Sequence, residues 1–126
     1  MEFHHIGIAT EDIEQMKCNL KDMFEVTDVS ETVYDSNQDA YLCMLTINNK
    51  TKIELISGNK VEKLVKKRQF LYHICYEVED IEVQIKKLID MGNMLISEPK
   101  EAILFDNKKV AFLMTEMGLI ELVEKV

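Results

Sequence analysis

The chain has little of what would take it out of an ordinary globular setting. Cysteine occurs three times, at Cys18, Cys43 and Cys75. An odd number without a pairing pattern argues against a disulfide framework and for a reducing compartment, so the cytoplasm is expected. No window is apolar over the length a bilayer crossing needs, and no basic-then-apolar signal opens the chain, so neither a membrane span nor secretion is expected. Positive charge is scarce as well. The 15 Lys and Arg stand against 23 Asp and Glu, a net charge of −8 at pH 7, which is the reverse of the clustered positive field of nucleic-acid binders. Proline occurs once, at Pro99, and reads as a loop residue.

What is present is 126 residues, 47% hydrophobic and 30% charged. That is the length of one compact domain, spanning 1–126, able to bury roughly two-thirds of its unfolded surface. The chain also contains itself twice. His5 to Phe24 lies over His73 to Gly92 at an offset of 68, with nine of twenty positions identical. KIELIS, Lys52 to Ser57, matches LIELVE, Leu119 to Glu124, at an offset of 67. The repeat units run over approximately 1–58 and 70–126, joined by a helix over 60–69.

Each repeat reads as β-α-β-β-β. Phe3 to Thr10 is a strand, followed from Asp12 by a helix with Ile13, Met16, Leu20, Met23 and Phe24 at helical spacing; Asp12 and Gln15 are placed as a capping box. Strands are expected at Val29 to Tyr34, Ala40 to Ile47 and Thr51 to Ile56, with Asp35 to Asp39 a turn and Asn48-Asn49 a hairpin signal. In the second repeat a strand over Leu71 to Val78 precedes a helix over Asp80 to Met91, whose packing face is Ile81, Ile85, Leu88 and Ile89. Gly92 stops it. Met94 to Ser97, Lys109 to Met114 and Gly118 to Val123 supply three more strands. The eight methionines read as core filler.

Strand alternation then selects a constellation. His5, Gly7 and Ala9 share one face, opposite Ile6 and Ile8; His73, Cys75 and Glu77 share the equivalent face. Glu54 and Glu121 lie in apolar strands, each facing away from the residues that pack on the helix. One strand histidine is ordinarily a satisfied core residue. Here the repeat doubles both the histidine and the glutamate. A buried carboxylate is costly unless paired or metal-bound, so His5, Glu54, His73 and Glu121 read as ligands of one divalent metal: zinc, cobalt, nickel, manganese or iron. His4 points away from this face, and Cys75 reads as a structural thiol. Lys60, Lys63, Lys66, Lys67 and Arg68 form either a solvated helix face or a site for the phosphates of an anionic substrate.

HHIGIATEDIE, KIELIS, YHICYEVEDIE, NKKVAFL and GLIELVE together resemble the vicinal oxygen chelate superfamily, which includes glyoxalase I, methylmalonyl-CoA epimerase, extradiol dioxygenases and bleomycin-resistance proteins. The likeness is nearest to the epimerases and small glyoxalase I-like proteins. It implies an α+β fold: tandem β-α-β-β-β repeats forming a curved, cup-like mixed sheet with helices on its outer face. It places the metal ligands on His5, Glu54, His73 and Glu121, with zinc, nickel, cobalt or manganese as the ion. The implied activity is proton transfer alpha to a carbonyl through an enolate or enediolate, with Glu121 or Glu54 as base, on an acyl-CoA. The alternatives are lactoylglutathione lyase chemistry on a thiol conjugate, or a non-catalytic binding or resistance protein. A homodimer is implied, with no nucleic-acid or membrane partner. The sequence departs from the epimerase pattern in two places. Asn37 stands near the expected glutamate and Asp39 replaces a glycine, and MTEMG, Met114 to Gly118, is a shortened loop. Asp39 is a further candidate base. Met44, Phe112, Leu119 and Val123 are candidate lining.

Overall fold

The computed structural model describes residues 1–125. The chain divides into two compact units, His5–Tyr72 and a second made of Met1–His4 with His73 onward. Both are α+β with a mixed sheet, as the repeat implies.

The first unit takes β1 (Glu2–Ala9) from His5 on, then α1 (Ile13–Met23), β2 (Val26–Val29), β3 (Val33–Asp35), β4 (Ala40–Ile47), β5 (Thr51–Ser57), a 3-10 turn at Asn59–Val61 and α2 (Glu62–Lys66). Its strand order is β2-β4-β5-β1, with β3 also on β4. β1 and β5 are parallel, and the other pairs are antiparallel. Asp12 caps α1 by accepting from the Gln15 N–H at 3.0 Å. Only this half of the capping box forms: the Gln15 amide donates to Asn19, and the Asp12 N–H donates to the Thr10 hydroxyl. Ile13 and Leu20 of α1 bury against Cys43, Leu45 and Leu55, with Ile8 and Ile53 alongside. Each such aliphatic side chain contributes about 1.5–3 kcal/mol when fully buried.

The second unit repeats the plan with β6 (Leu71–Val78), α3 (Ile81–Asp90), β7 (Met94–Ala102), a 3-10 turn at Ile103–Phe105, β8 (Lys108–Thr115) and β9 (Gly118–Glu124). Its order is β6-β9-β8-β7, with β6 and β9 parallel. Asp80 caps α3 as Asp12 caps α1. Ile81 and Ile85 pack on Val78, Ala111, Leu113, Ile120 and Leu122. In both units the helix therefore covers the aliphatic strand face and leaves the histidine face to be buried otherwise.

Five local expectations need correction. The run Val29 to Tyr34 is two strands, not one. Ser30 pairs with Met44 through its backbone N–H and its side-chain oxygen, both at 2.8 Å, so the hydroxyl takes the place of a ladder carbonyl and the chain leaves the sheet until Val33. Pro99 lies in β7, not in a loop. β7 ends the strand order, and its register slips between Ser97 and Lys100; an end strand with a bulge is where a residue without an N–H is tolerated. Ile89 is 43% exposed and off the packing face of α3. The linking helix is shorter than 60–69 and splits into the 3-10 turn and α2. Finally, six of the eight methionines are not core filler: Met1, Met23, Met91, Met94, Met114 and Met117 are exposed, because they fall at chain, helix and strand ends and in a turn; Met16 does pack against the core beneath α1. No helix among the described residues is long and apolar enough to cross a membrane.

Candidate functional site

Each unit brings one histidine and one glutamate together by the same construction. In the first, β1 turns His5, Gly7 and Ala9 to its buried face. β5 runs parallel beside it and sets Glu54 opposite Gly7, two residues beyond His5. The other neighbour of Glu54 is Met44 on β4. The His5 Nε2 to Glu54 Oε1 distance is 3.6 Å. In the second unit Glu121 lies opposite Cys75, two residues beyond His73, with Phe112 on its other side. There the Nε2 to Oε1 distance is 3.2 Å, and the Phe112 and His73 rings meet in a T-shaped contact at 5.4 Å between centroids. None of the four side chains is more than 1% exposed.

The register also explains why the repeat offset changes from 68 to 67. Three residues separate the last paired positions of β4 and β5, Ile47 and Thr51, whereas two separate Thr115 and Gly118 of β8 and β9. In the longer turn Asn48 and Asn49 both take positive φ, 52° and 57°, and the Lys50 N–H donates to the Ile47 carbonyl, the turn that Asn-Asn favours. The shorter one is closed by Thr115, whose hydroxyl accepts from the Met117 N–H and donates to the Gly118 carbonyl, with Gly118 at φ +96°. The deletion is confined to the turn, so Glu121 keeps the strand position of Glu54.

The donor set fits a divalent cation. Two atoms bound side by side to one metal at about 2.0–2.2 Å lie roughly 3.0–3.4 Å apart, close to both observed separations. Imidazole nitrogen with carboxylate oxygen is the chemistry of transition-metal sites.

The remaining candidates divide. Asp39 sits on an exposed turn at φ +51°, where a glycine would be relaxed. Its carboxylate accepts from the Tyr34 hydroxyl at 2.7 Å and from the Asn59 amide at 3.4 Å. That hydrogen bond, followed by desolvation and the Asp39 charge, raises the Tyr34 pKa above its ordinary value. Asn37 is exposed, and its N–H donates to Asp35. Asp35 is a buried acid that strand and helix periodicity do not mark; its carboxylate binds the Asn37 N–H and the Gln38 amide and so closes the turn. His4 is half-buried and edge-on to Phe105 at 5.7 Å. Cys75 is fully buried, as are Phe112 and Val123 within 3%, while Met44 and Leu119 are half-buried.

Residues 4–112 match the Glyoxalase/Bleomycin resistance protein/Dioxygenase superfamily. The chain belongs to that superfamily. Within it, the chain is 33% identical over 133 residues to the mitochondrial methylmalonyl-CoA epimerase of Dictyostelium discoideum, a match spanning 98% of the chain and 78% of the relative. Two solved structures superpose closely. The methylmalonyl-CoA epimerase of Mycobacterium tuberculosis has a TM-score of 0.85 at 20% identity, covering 99% of this chain and 88% of its own. A hypothetical protein of Bacillus halodurans C-125 has a TM-score of 0.75 at 26% identity, covering 99% and 94%.

Proposed function

We propose that the chain is a divalent-metal-dependent enzyme that moves a proton alpha to the carbonyl of an acyl-CoA thioester, in the manner of a methylmalonyl-CoA epimerase. The observation that carries the reading is the doubled His–Glu pair, buried at repeat-equivalent places. The 33% identity to a methylmalonyl-CoA epimerase supports an acyl-CoA as the substrate class. His5, Glu54, His73 and Glu121 would together hold one ion of zinc, nickel, cobalt or manganese. When bound, such an ion supplies a Lewis acid that offsets the negative charge developing on a carbonyl oxygen by several kcal/mol.

The chain's own residues do the rest. The alpha proton needs a carboxylate to receive it, and Asp39 is exposed and held by Tyr34. Asn37 is not an acid. Glu121 or Glu54 is therefore the base: it takes the proton and leaves the electron pair delocalised onto the carbonyl. Delivery of a proton to the opposite face of the same carbon by the other glutamate of the pair completes epimerisation. The apolar flanks Met44, Phe112 and Val123 exclude water that would otherwise protonate the carbanion indiscriminately. We further propose one domain over 1–126, a homodimer and a cytoplasmic location.

The same pair of glutamates favours a second reading. With no acid at position 37, a ligand glutamate as base is also what lactoylglutathione lyase chemistry on a hemithioacetal uses. One experiment separates the readings: elemental analysis of protein purified without chelators, then deuterium exchange from solvent into candidate substrates. About one metal per chain with exchange at the alpha carbon of an acyl-CoA supports the epimerase. Exchange confined to hemithioacetals transfers the assignment to the lyase. A protein that takes up no metal and exchanges nothing, yet binds such ligands, is a binding or resistance protein.

A further inference from the structure

We propose that Lys63, Lys67 and Arg68, at the end of α2, form a docking site for the phosphate groups of coenzyme A. The identity of the anion rests on the acyl-CoA reading above; the site itself rests on charge, backbone and placement within the first unit.

The stretch from Lys60 to Arg68 gathers five of the fifteen cationic residues in a chain of net charge −8. Lys66 is occupied by Glu62, 3.0 Å away and one turn earlier. Lys63, Lys67 and Arg68 are exposed and, among the described residues, make no ion pair. A favourable helix dipole accounts for a cation or two in a last turn, but α2 has five residues and Arg68 lies beyond its end.

Arg68 is the telling position. Its φ is +58°, the left-handed conformation that ends helices and is ordinarily given to glycine or asparagine. Its N–H donates to the Val65 carbonyl at 3.0 Å, and the next N–H, of Gln69, donates to Leu64 at 2.9 Å. The backbone job is a glycine's job, so the guanidinium is what the residue adds. Its planar fork suits phosphate oxygens in pairs.

The cations also lie where the tail of a bound thioester would go. β5 passes from Glu54 to Ser57 and leads through Gly58 into the 3-10 turn and α2. Two residues past Arg68, the Phe70 carbonyl accepts from the Ala9 N–H at 2.7 Å, which ties the far end of the segment to β1. α2 thus closes the carboxyl end of the parallel pair that carries His5 and Glu54. At about 3.3 Å per residue, Ala9 is about 13 Å along β1 from His5, a distance an extended pantetheine arm covers. A long polyanion would set its further phosphates against an acidic surface. A small ligand whose phosphates end within one patch meets mainly the favourable charges, since Glu62 in the same segment is engaged by Lys66.

The test is calorimetric titration of the full chain with free coenzyme A and with pantetheine, for the native protein, Arg68→Gly and Lys63→Glu/Lys67→Glu. Coenzyme A is expected to bind more tightly than pantetheine and to lose about ten-fold in affinity in each variant, while Arg68→Gly melts no lower than the native protein because glycine relaxes the φ. In turnover, the ratio of kcat/KM for acyl-CoA over the matching acyl-pantetheine falls by the same factor. Equal binding of the two native ligands, or variants that bind coenzyme A as the native protein does, overturns the site even if exchange on acyl-CoA is found. Loss of coenzyme A binding in the variants upholds the site even if no acyl-CoA is turned over, in which case the epimerase reading is what falls. A patch that holds phosphatidylserine vesicles but not coenzyme A overturns the assignment.

Discussion

At the scale of single residues, the functional reading depends on two carboxylates that have no place in an apolar strand. Glu54 and Glu121 each stand between aliphatic neighbours in sequence, Ile53 and Leu55 in one case and Ile120 and Leu122 in the other, and are buried to within 1%. Replacing a charge by an amide of the same shape separates a chemical role from a packing role. Glu121→Gln is expected to keep its fold, with a melting temperature near the native one in the absence of metal, because the amide keeps the shape of the side chain and its oxygen can still pair with the His73 ring. Metal content and alpha-proton exchange are expected to fall, exchange by at least about a hundred-fold. Unchanged exchange in Glu121→Gln would move the base to Glu54. Asp39 supplies the contrast. Asp39→Asn leaves only a neutral acceptor where the Tyr34 hydroxyl meets a carboxylate, so the phenol is expected to titrate at lower pH by ultraviolet absorbance while exchange is untouched; loss of exchange instead would make Asp39 the base. Alternation of side chains along a strand makes His5, Glu54, His73 and Glu121 legible in the sequence. Asp35 is not legible in that way, because its partners, the Asn37 N–H and the Gln38 amide, are supplied by the shape of a turn.

At the scale of elements, legibility follows how local the determining interaction is. α1 and α3 begin where Asp12 and Asp80 stand because a carboxylate three residues before a backbone N–H is a contact within one turn. Asp80→Ala is expected to cost about 1 kcal/mol, seen as a melting temperature lower by about 3–6 °C; adding Asp12→Ala should double the loss, since the two caps lie in separate units. A sub-additive result would mean the helices do not unfold with the same transition. The strands that depart from expectation are decided by partners distant in sequence. Ser30 breaks the run Val29 to Tyr34 only because Met44 lies opposite to pair with its hydroxyl. Pro99 can sit in β7 only because that strand has a neighbour on one side in the strand order. Neither fact is present in the residues flanking Ser30 or Pro99. The exposed methionines follow the same rule: hydrophobicity says a side chain prefers the core, and topology decides whether its position reaches one.

At the scale of the whole molecule, the internal repeat is what lifts a pair of ordinary strand histidines into a candidate metal centre, and the repeat has a thermodynamic consequence. Neither His5–Glu54 nor His73–Glu121 alone supplies the four ligands proposed, so the folded chain should bind the ion far better than the unfolded chain, and binding should appear as stability. Metal at a hundred-fold excess over its dissociation constant stabilises by about 2.7 kcal/mol, a rise in melting temperature on the order of 10 °C for a chain of this size. EDTA should reverse the rise. Because the two pairs occupy equivalent strand positions, His5→Ala and His73→Ala are each expected to weaken the effect to a similar degree, and the double variant to abolish it while remaining folded without metal. If one single variant lost the whole shift and the other none, the ion would belong to one pair only. The repeat would then be a relic of how the fold arose, with the second pair retained as a buried polar contact and not as ligands.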